Sequence, residues 1–168
     1  MSSSIVANPA NLLRMVDWLE TQCSPREFNM KDFFYSDEAV ERFLKGEDPV
    51  VGYCGCVIGS VPKVFSEYRA EILDAFYHRK PIISLLEKIL GLKEQIVQEE
   101  SHRAWAWMFS GGWYYVDNTP VGAAKRIRYY LKYGNVPLWF KDGRLNLVDK
   151  KDFLKWLLNR YIYSDPAL

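Results

Sequence analysis

Apolar residues recur at spacings of three and four along most of this chain, which is the period of an amphipathic helix. The clearest such segment runs from Val121 to Tyr133. Thr119 can cap its first turn, Pro120 suits the first helical position, and Gly134 offers a left-handed stop. The predicted buried face consists of Val121, Ala124, Ile127 and Leu131. This pattern predicts a helix with a defined start, end and inner face.

A similar start signal occurs near the N-terminus, where asparagine is again followed by proline. Asn8-Pro9 precedes a periodic segment from Ala10 to about Gln22, and Ser24-Pro25 would interrupt it. The predicted inner face of this helix comprises Leu12, Leu13, Val16 and Leu19, with Trp18 beside them. The chain therefore has a second helix whose beginning can be read from its capping residues.

Weaker periodic patterns predict further helices, and one segment predicts a β-hairpin. The helices cover Glu38 to Leu44, Pro62 to Tyr77, Leu85 to Leu90 after Ser84 as cap and before Gly91, Leu92 to about Phe109, and Lys150 to about Ile162. The hairpin spans Pro137 to Val148, where Asp142-Gly143 separates two apolar runs. The ribbon must pack on helices, because an isolated two-stranded hairpin is marginally stable.

The fold class follows from these elements and from the length of the chain. At 168 residues the chain suits one domain with a proper core, and no linker divides it. We therefore predict a mainly α fold, a single helical domain over residues 1–168 with a small C-terminal β-hairpin. Residues 1–7 and 164–168 are expected to be flexible tails.

A segment rich in glycine and cysteine, from Pro49 to Pro62, stands apart from the helical pattern. Its glycines alternate with small or β-branched residues, which favours close backbone packing and a buried crossing point. Cys54 and Cys56 are separated by one residue, whereas zinc knuckles use two to four. We therefore expect buried structural cysteines and no metal site.

Several short motifs occur together in an order typical of one group of proteins. They are Phe28-Asn29-Met30, the glycine–cysteine segment, Leu90-Gly91-Leu92, and Asn118-Thr119-Pro120 with Ala123-Ala124 and Ile127. In this they resemble a loosely defined group of small phage and bacterial proteins of unassigned function, whose cysteine segment reads C-G-T-x-x-C-I-x-G-H. Cys56 and Gly59 match that pattern, whereas Val51 and Ser60 replace its first cysteine and its histidine. The resemblance implies a phage-associated origin rather than an activity.

Composition narrows the classes of function. Apolar residues at 49% and charged residues at 26% are ordinary for a globular protein, and a net charge of +1 disfavours a protein that coats nucleic acid. Aromatic residues at 15% are abundant, which predicts an exposed aromatic patch or groove. The chain has no run of eighteen apolar residues and no secretory signal, so no membrane association is expected and a cytoplasmic location is predicted.

No catalytic signature is present in the sequence. His78 and His102 are the two histidines, and neither stands in a recognised motif. Glu99 lies one helical turn from His102, but such pairs commonly decorate a helix surface. We therefore expect a protein that is not an enzyme, with no catalytic residue and no cofactor.

The strongest candidate site is the helix from Val121 to Tyr133 together with the tryptophans that precede it. Its basic residues either form a solvated face or hold a phosphate while an aromatic ring stacks on a base. The candidate ligand-binding residues are Lys125, Arg126, Arg128, Lys132, Tyr129, Trp105, Trp107 and Trp113.

Three functions are compatible with these features. The first is a phage accessory factor that docks on a host protein and inhibits it, because tryptophan, tyrosine and arginine dominate binding hot spots. The second is a small-molecule binder that sequesters a nucleotide or another phosphorylated ligand. The third is sequence-specific DNA binding with residues 120–133 as recognition helix, although no preceding helix and short turn complete that motif. The oligomeric state is left open.

Overall fold

The computed structural model describes residues 8–26, 28–30, 42, 45, 56–77, 82–91, 99–137 and 140. Six α-helices lie within these residues: α1 (Pro9–Thr21), α2 (Val61–Val64), α3 (Arg69–Tyr77), α4 (Ile82–Leu90), α5 (Glu99–Phe109) and α6 (Pro120–Tyr133). Single 3-10 turns cover Ile58–Ser60, Ser66–Tyr68 and Gly111–Tyr115. The predicted mainly helical character is therefore confirmed for the described part of the chain.

Three predicted elements fall largely or wholly on other residues. The helix predicted for Glu38–Leu44 lies outside the described residues except for Arg42, and the hairpin predicted for Pro137–Val148 does so except for Pro137 and Phe140. The helix predicted from Lys150 lies wholly outside them.

The capping residues place α1 and α6 as the sequence predicts. The Asn8 side chain accepts the Asn11 backbone N–H at the start of α1. The Thr119 hydroxyl accepts the Gly122 N–H at 3.0 Å, and Gly134 ends α6 with φ of 65°. A side-chain oxygen satisfies one of the free N–H groups of a first helical turn, and glycine adopts the left-handed conformation without a clash.

Helices α1 and α6 pack against each other more extensively than any other pair of described elements. Helix α1 also contacts α2 and α4, and α5 packs on α6. The start of α1 is fixed to the end of α4, because the Asn8 N–H donates to the Leu90 carbonyl and the Asn11 amide donates to the Ile89 carbonyl. These contacts enclose a core rich in leucine, isoleucine and aromatic side chains.

The predicted inner faces of α1 and α6 are partly wrong. Leu13 and Val121 were both assigned to the core, yet each is 49% exposed. Met15 and Arg126 are fully buried in their place. The inner arc of each helix is set by the helices that pack on it, so an apolar residue at the margin of the arc can face outward.

The continuous helix predicted from Pro62 to Tyr77 is also wrong, because the chain breaks at Phe65. Phe65 has φ of −121° and ψ of 66°, between α2 and a 3-10 turn. The break frees the Val64 carbonyl, which accepts Arg14 Nη2 at 2.9 Å, and the Arg14 guanidinium also bonds Glu67 and lies over the Phe65 ring. The hydrogen bond from Arg14 of α1 thus takes the place of a helical hydrogen bond to the Val64 carbonyl.

Two other helix boundaries differ from the prediction. Helix α4 begins at Ile82, directly after Pro81, so Ser84 lies inside it rather than at its cap. Its predicted end is confirmed, since Gly91 has φ of 69° and its N–H bonds the Glu87 carbonyl. Helix α5 is described from Glu99 onward, and residues 92–98 of the longer predicted helix lie outside the described residues.

The glycine–cysteine segment is buried where it is described. Every residue from 56 to 62 is buried, and Cys56 Sγ accepts the Gly59 N–H. The Ser60 hydroxyl donates to the Cys56 carbonyl at 3.0 Å, so the polar side chain inside the core is satisfied locally. The predicted burial is confirmed for these residues, and Cys54 lies outside the described ones. None of the described helices has the length and apolar character that crossing a membrane requires.

Candidate functional site

The start of α6 carries a compact polar cluster formed by Asp117, Thr119 and Arg126. The Asp117 carboxylate accepts the Thr119 hydroxyl at 2.6 Å, and its other oxygen lies 3.5 Å from Arg126 Nη1. The positive end of the helix dipole and a buried cation therefore act on the same carboxylate. Residues nine apart in sequence meet here because Asp117 folds back over the first turns of α6.

Arg126 is the buried charge of this cluster. Its side chain has no solvent exposure, and its guanidinium lies 4.2 Å from the centre of the Trp113 ring. The Trp107 indole N–H donates to the Arg126 carbonyl at 2.9 Å, so a side chain of α5 also binds the backbone of Arg126. A buried guanidinium is costly without a partner that compensates its charge. Asp117 supplies the anionic group, and the Trp113 ring adds a favourable cation–π contact.

Glycine at position 122 is required by this arrangement. A Cβ atom on Gly122 would overlap the Asp117 carboxylate, which rests directly on the helix at that point. Only a residue without a side chain allows the carboxylate to approach so closely. The position of the Asp117 carboxylate on α6 therefore depends on Gly122.

Asn118 joins the start of α6 to the segment after α1. Its side-chain oxygen accepts the Met30 backbone N–H at 2.7 Å, across 88 positions of sequence. Phe28 and Met30 are both buried in the core beside this link. The start of α6 and the segment after α1 thus contact each other directly.

We expect Asn118→Ala to lower the free energy of unfolding by about 1–2 kcal/mol, because the partly buried Met30 N–H would lose its acceptor. Urea denaturation followed by circular dichroism measures this loss. Gln22→Ala is the control, because Gln22 is exposed at the end of α1 and we expect a smaller change there. An unchanged midpoint for Asn118→Ala would show that the link does not stabilise the fold.

The predicted basic stripe divides in the structure. Arg128 donates two hydrogen bonds, of 3.0 and 2.7 Å, to the Glu20 carboxylate of α1, and this hydrogen bonding is the main cause of the raised pKa of Arg128. Lys125 is partly exposed, and Lys132 is exposed with its ammonium 5.2 Å from the centre of the Tyr133 ring. With Arg126 inside the core, the four cations do not converge on one point.

The three candidate tryptophans lie in the core. Trp107 and Trp113 have no exposed surface and meet edge to face at 5.3 Å, and Trp105 is 8% exposed and packs on Phe109. Phe140 also contacts both Trp107 and Trp113. In this conformation Trp107 and Trp113 have no face on which a base can stack, because core rings occupy those positions.

Among the described residues, the exposed aromatic side chains are those of tyrosines, Tyr114 and Tyr133. Tyr133 is 50% exposed, and the centre of its ring lies 4.6 Å from the centre of the Tyr129 ring. The centre of the Tyr129 ring lies 5.7 Å from that of Trp107. Burial, with a smaller contribution from Tyr133, raises the pKa of the Tyr129 hydroxyl. We call Tyr129, Lys132 and Tyr133 the tyrosine edge. Its three residues present aromatic and cationic groups to solvent from a fixed support.

The pattern of the sequence did not reveal three parts of this region. Arg126 was grouped with the surface cations, and Asp117 was considered only as a capping residue. The pairing of Glu20 with Arg128 spans 108 positions and leaves no local signal. One available signal was Gly122 in the first turn of a helix, since glycine is unfavourable there unless another group approaches the backbone closely.

No protein-family model, curated protein or solved structure matches this chain in comparisons of sequence and fold.

Proposed function

We propose that this chain is a non-catalytic binding protein that docks on a host protein through the tyrosine edge and inhibits it. The supporting observation is the half-exposed Tyr133, whose ring packs at a tilt against Tyr129, which in turn contacts buried Trp107. The choice of a host protein as target rests on the resemblance of the short sequence motifs to small phage proteins.

The chemistry of the tyrosine edge suits a protein partner. Tyrosine has a large apolar ring and a polar tip, and its two side-chain torsions lose little entropy when they are fixed. Tyr133 is already held by Tyr129, so less ordering is needed on binding. Lys132 beside it can pair with an acidic group at the rim of an interface.

The nucleotide alternative has less support. It needs several cations around a phosphate and an open aromatic face for a base. Arg126 is buried against Trp113, Arg128 is engaged by Glu20, and Trp107 is enclosed by other rings. A nucleotide would have to displace these internal contacts before it could bind.

Capture of host proteins on the immobilised full-length chain tests the proposal. We expect Tyr133→Ala to reduce retention of the target by about tenfold or more, because an exposed aromatic hot spot contributes about 2 kcal/mol or more to binding. Tyr114→Ala is the matched control, since Tyr114 is 38% exposed on the 3-10 turn after α5. The captured protein is then assayed for loss of activity when the chain is added.

Two results would contradict the proposal. One is a host lysate from which the wild-type chain retains nothing above background at several salt concentrations. The other is equal retention by wild type and Tyr133→Ala, which would remove the tyrosine edge from the interface. Circular dichroism of both tyrosine variants establishes that each is folded before the comparison is made.

A further inference from the structure

The tyrosine edge continues along α6 through Lys125. Lys125 lies four residues before Tyr129, and residues four apart are neighbours on the surface of a helix. Lys125 and Tyr129 are partly exposed, and Lys132 and Tyr133 are exposed. We call these four residues the α6 ridge. With about 3.6 residues per turn, their side chains fall within an arc of about 100° on one side of the helix.

The rings of the α6 ridge are supported from within the chain. The centres of the Tyr129 and Tyr133 rings lie 4.6 Å apart, and the Tyr129 ring contacts buried Trp107. The Lys132 ammonium lies 5.2 Å from the centre of the Tyr133 ring. Little ordering of these side chains is needed when a partner binds, which favours affinity.

Helix α6 carries four cations and no acidic residue. Arg126 lies in the core beside the carboxylate of Asp117, and Arg128 donates to a carboxylate of α1. The charges of both arginines are therefore offset within the chain. Lys125 and Lys132 supply the positive charge of the ridge, and a carboxylate of a partner is the complement of each.

The spacing of these two lysines defines what fits between them. Lys125 and Lys132 are seven residues apart, which is roughly 10 Å along the helix axis. Tyr129 lies between them on the ridge. A partner segment with two carboxylates at this distance and an apolar side chain between them matches the ridge. A basic segment would be repelled, and a wholly apolar one would bury the ammonium groups without partners.

A protein segment fits the α6 ridge better than a nucleic acid does. Binding of a phosphate backbone depends on several cations at once and favours the forked guanidinium of arginine. The cations of the ridge are two lysines, and the net charge of the chain is only +1. Exposed tyrosines beside charged groups are typical of protein interfaces, where the charges lie at the rim.

We infer that the α6 ridge binds an acidic segment of a partner protein, with carboxylates against Lys125 and Lys132 and an apolar side chain against the tyrosine rings. This inference rests on the proposed function and adds the chemical class of the partner. The rings supply most of the affinity, because aromatic residues dominate binding hot spots. The lysines select acidic partners and set the register of the contact.

Selection from a random peptide library on the immobilised full-length chain tests the inference. We expect the retained peptides to be enriched in aspartate and glutamate together with apolar residues. The most enriched peptide is then synthesised, and its affinity is measured by fluorescence anisotropy. Raised salt is expected to weaken its binding to the wild-type chain. Lys125→Glu and Lys132→Glu are each expected to weaken binding by about tenfold, because each places like charges together.

Two controls accompany these variants. Lys88→Glu changes the net charge by the same amount on exposed α4, and we expect it to bind the peptide like wild type. A second peptide, with lysines in place of the acidic residues, is expected to bind the Lys125→Glu, Lys132→Glu double variant more tightly than wild type. Circular dichroism establishes that all variants are folded.

Three results would overturn the inference. The first is a library in which acidic peptides are not enriched, and the second is an acidic peptide that binds both lysine variants as tightly as wild type. The third is a single-stranded oligothymidylate that binds more tightly than the peptide and displaces it, which would assign the ridge to nucleic acid. Lysine variants that retain the host protein like wild type, while Tyr133→Ala loses it, would contradict this inference and leave the proposed function standing.

Discussion

Trp107→Ala is expected to lower the free energy of unfolding by about 3–5 kcal/mol, the range for truncating a large buried aromatic residue. Trp107 has no exposed surface and contacts the rings of Trp113, Phe140 and Tyr129. Its indole N–H also holds the Arg126 carbonyl of α6. The substitution would leave a cavity between α5 and α6 and remove the support of the tyrosine edge. Urea denaturation followed by far-UV circular dichroism measures the loss.

Trp107→Phe separates packing from hydrogen bonding. Phenylalanine retains most of the ring contacts but cannot donate to the Arg126 carbonyl, so a smaller loss of about 1–2 kcal/mol is expected. This variant also provides a measurement if Trp107→Ala does not fold. Leu13→Ala is the surface control, expected to change stability by about 0.5 kcal/mol or less. A Trp107→Ala chain as stable as wild type would contradict the central position of this ring.

The ends of helices were the most predictable part of the fold, because capping depends on neighbouring residues. Asn8 and Thr119 cap α1 and α6 through their own first turns, and Gly91 and Gly134 end α4 and α6 with positive φ. These interactions involve residues at most four positions apart. A single sequence contains all the information that they require.

The orientation of side chains was less predictable, because it depends on partners far away in sequence. Periodicity assigned Val121 to the core and left Arg126 outside, whereas the structure reverses both. Arg126 can be buried only because Asp117 and Trp113 lie beside it. Periodicity depends only on the hydrophobic character of each residue and does not account for a partner that neutralises a charge.

The candidate site shows the same limit. The sequence predicted an exposed aromatic surface from the abundance of aromatic residues, and it named tryptophans together with Tyr129. Composition gives the amount of aromatic surface but not which rings fill the core. The structure places Trp107 and Trp113 inside and exposes Tyr133, which lies at the end of α6 where fewer neighbours cover it. Which aromatic rings are buried depends on how the side chains pack in the folded chain, and composition does not contain that information.

Asp117→Ala is expected to lower the free energy of unfolding by about 3 kcal/mol, because it removes the carboxylate that faces the buried Arg126 guanidinium. The loss includes the favourable effect of a negative charge at a helix N-terminus. Arg126 is fully buried, whereas Asp117 is slightly exposed. The expected loss therefore lies near the lower end of the range for breaking a buried ion pair. Chemical denaturation with the same spectroscopic signal measures it.

Gly122→Ala sharpens the test, because its effect should change sign with the residue at position 117. Alanine normally stabilises a helix by up to about 1 kcal/mol relative to glycine. Here the added methyl group would displace the Asp117 carboxylate, so a net loss of about 2 kcal/mol is expected as the pairing is lost and helix propensity is gained. In the Asp117→Ala background the obstruction is absent, and Gly122→Ala should stabilise the chain by up to about 1 kcal/mol.

Gly134→Ala is the control on the same helix. Gly134 has φ of 65° and open space around its Cβ direction, so alanine is expected to cost about 1–2 kcal/mol through backbone strain alone. That loss should be the same in the wild-type and Asp117→Ala backgrounds, because the two ends of α6 share no contact that strain at Gly134 would alter. A Gly122→Ala effect that is equally independent of position 117 would mean that the carboxylate does not rest on the helix. A reversal of sign confined to Gly122 would establish that Asp117, Gly122 and Arg126 stabilise the start of α6 as one unit.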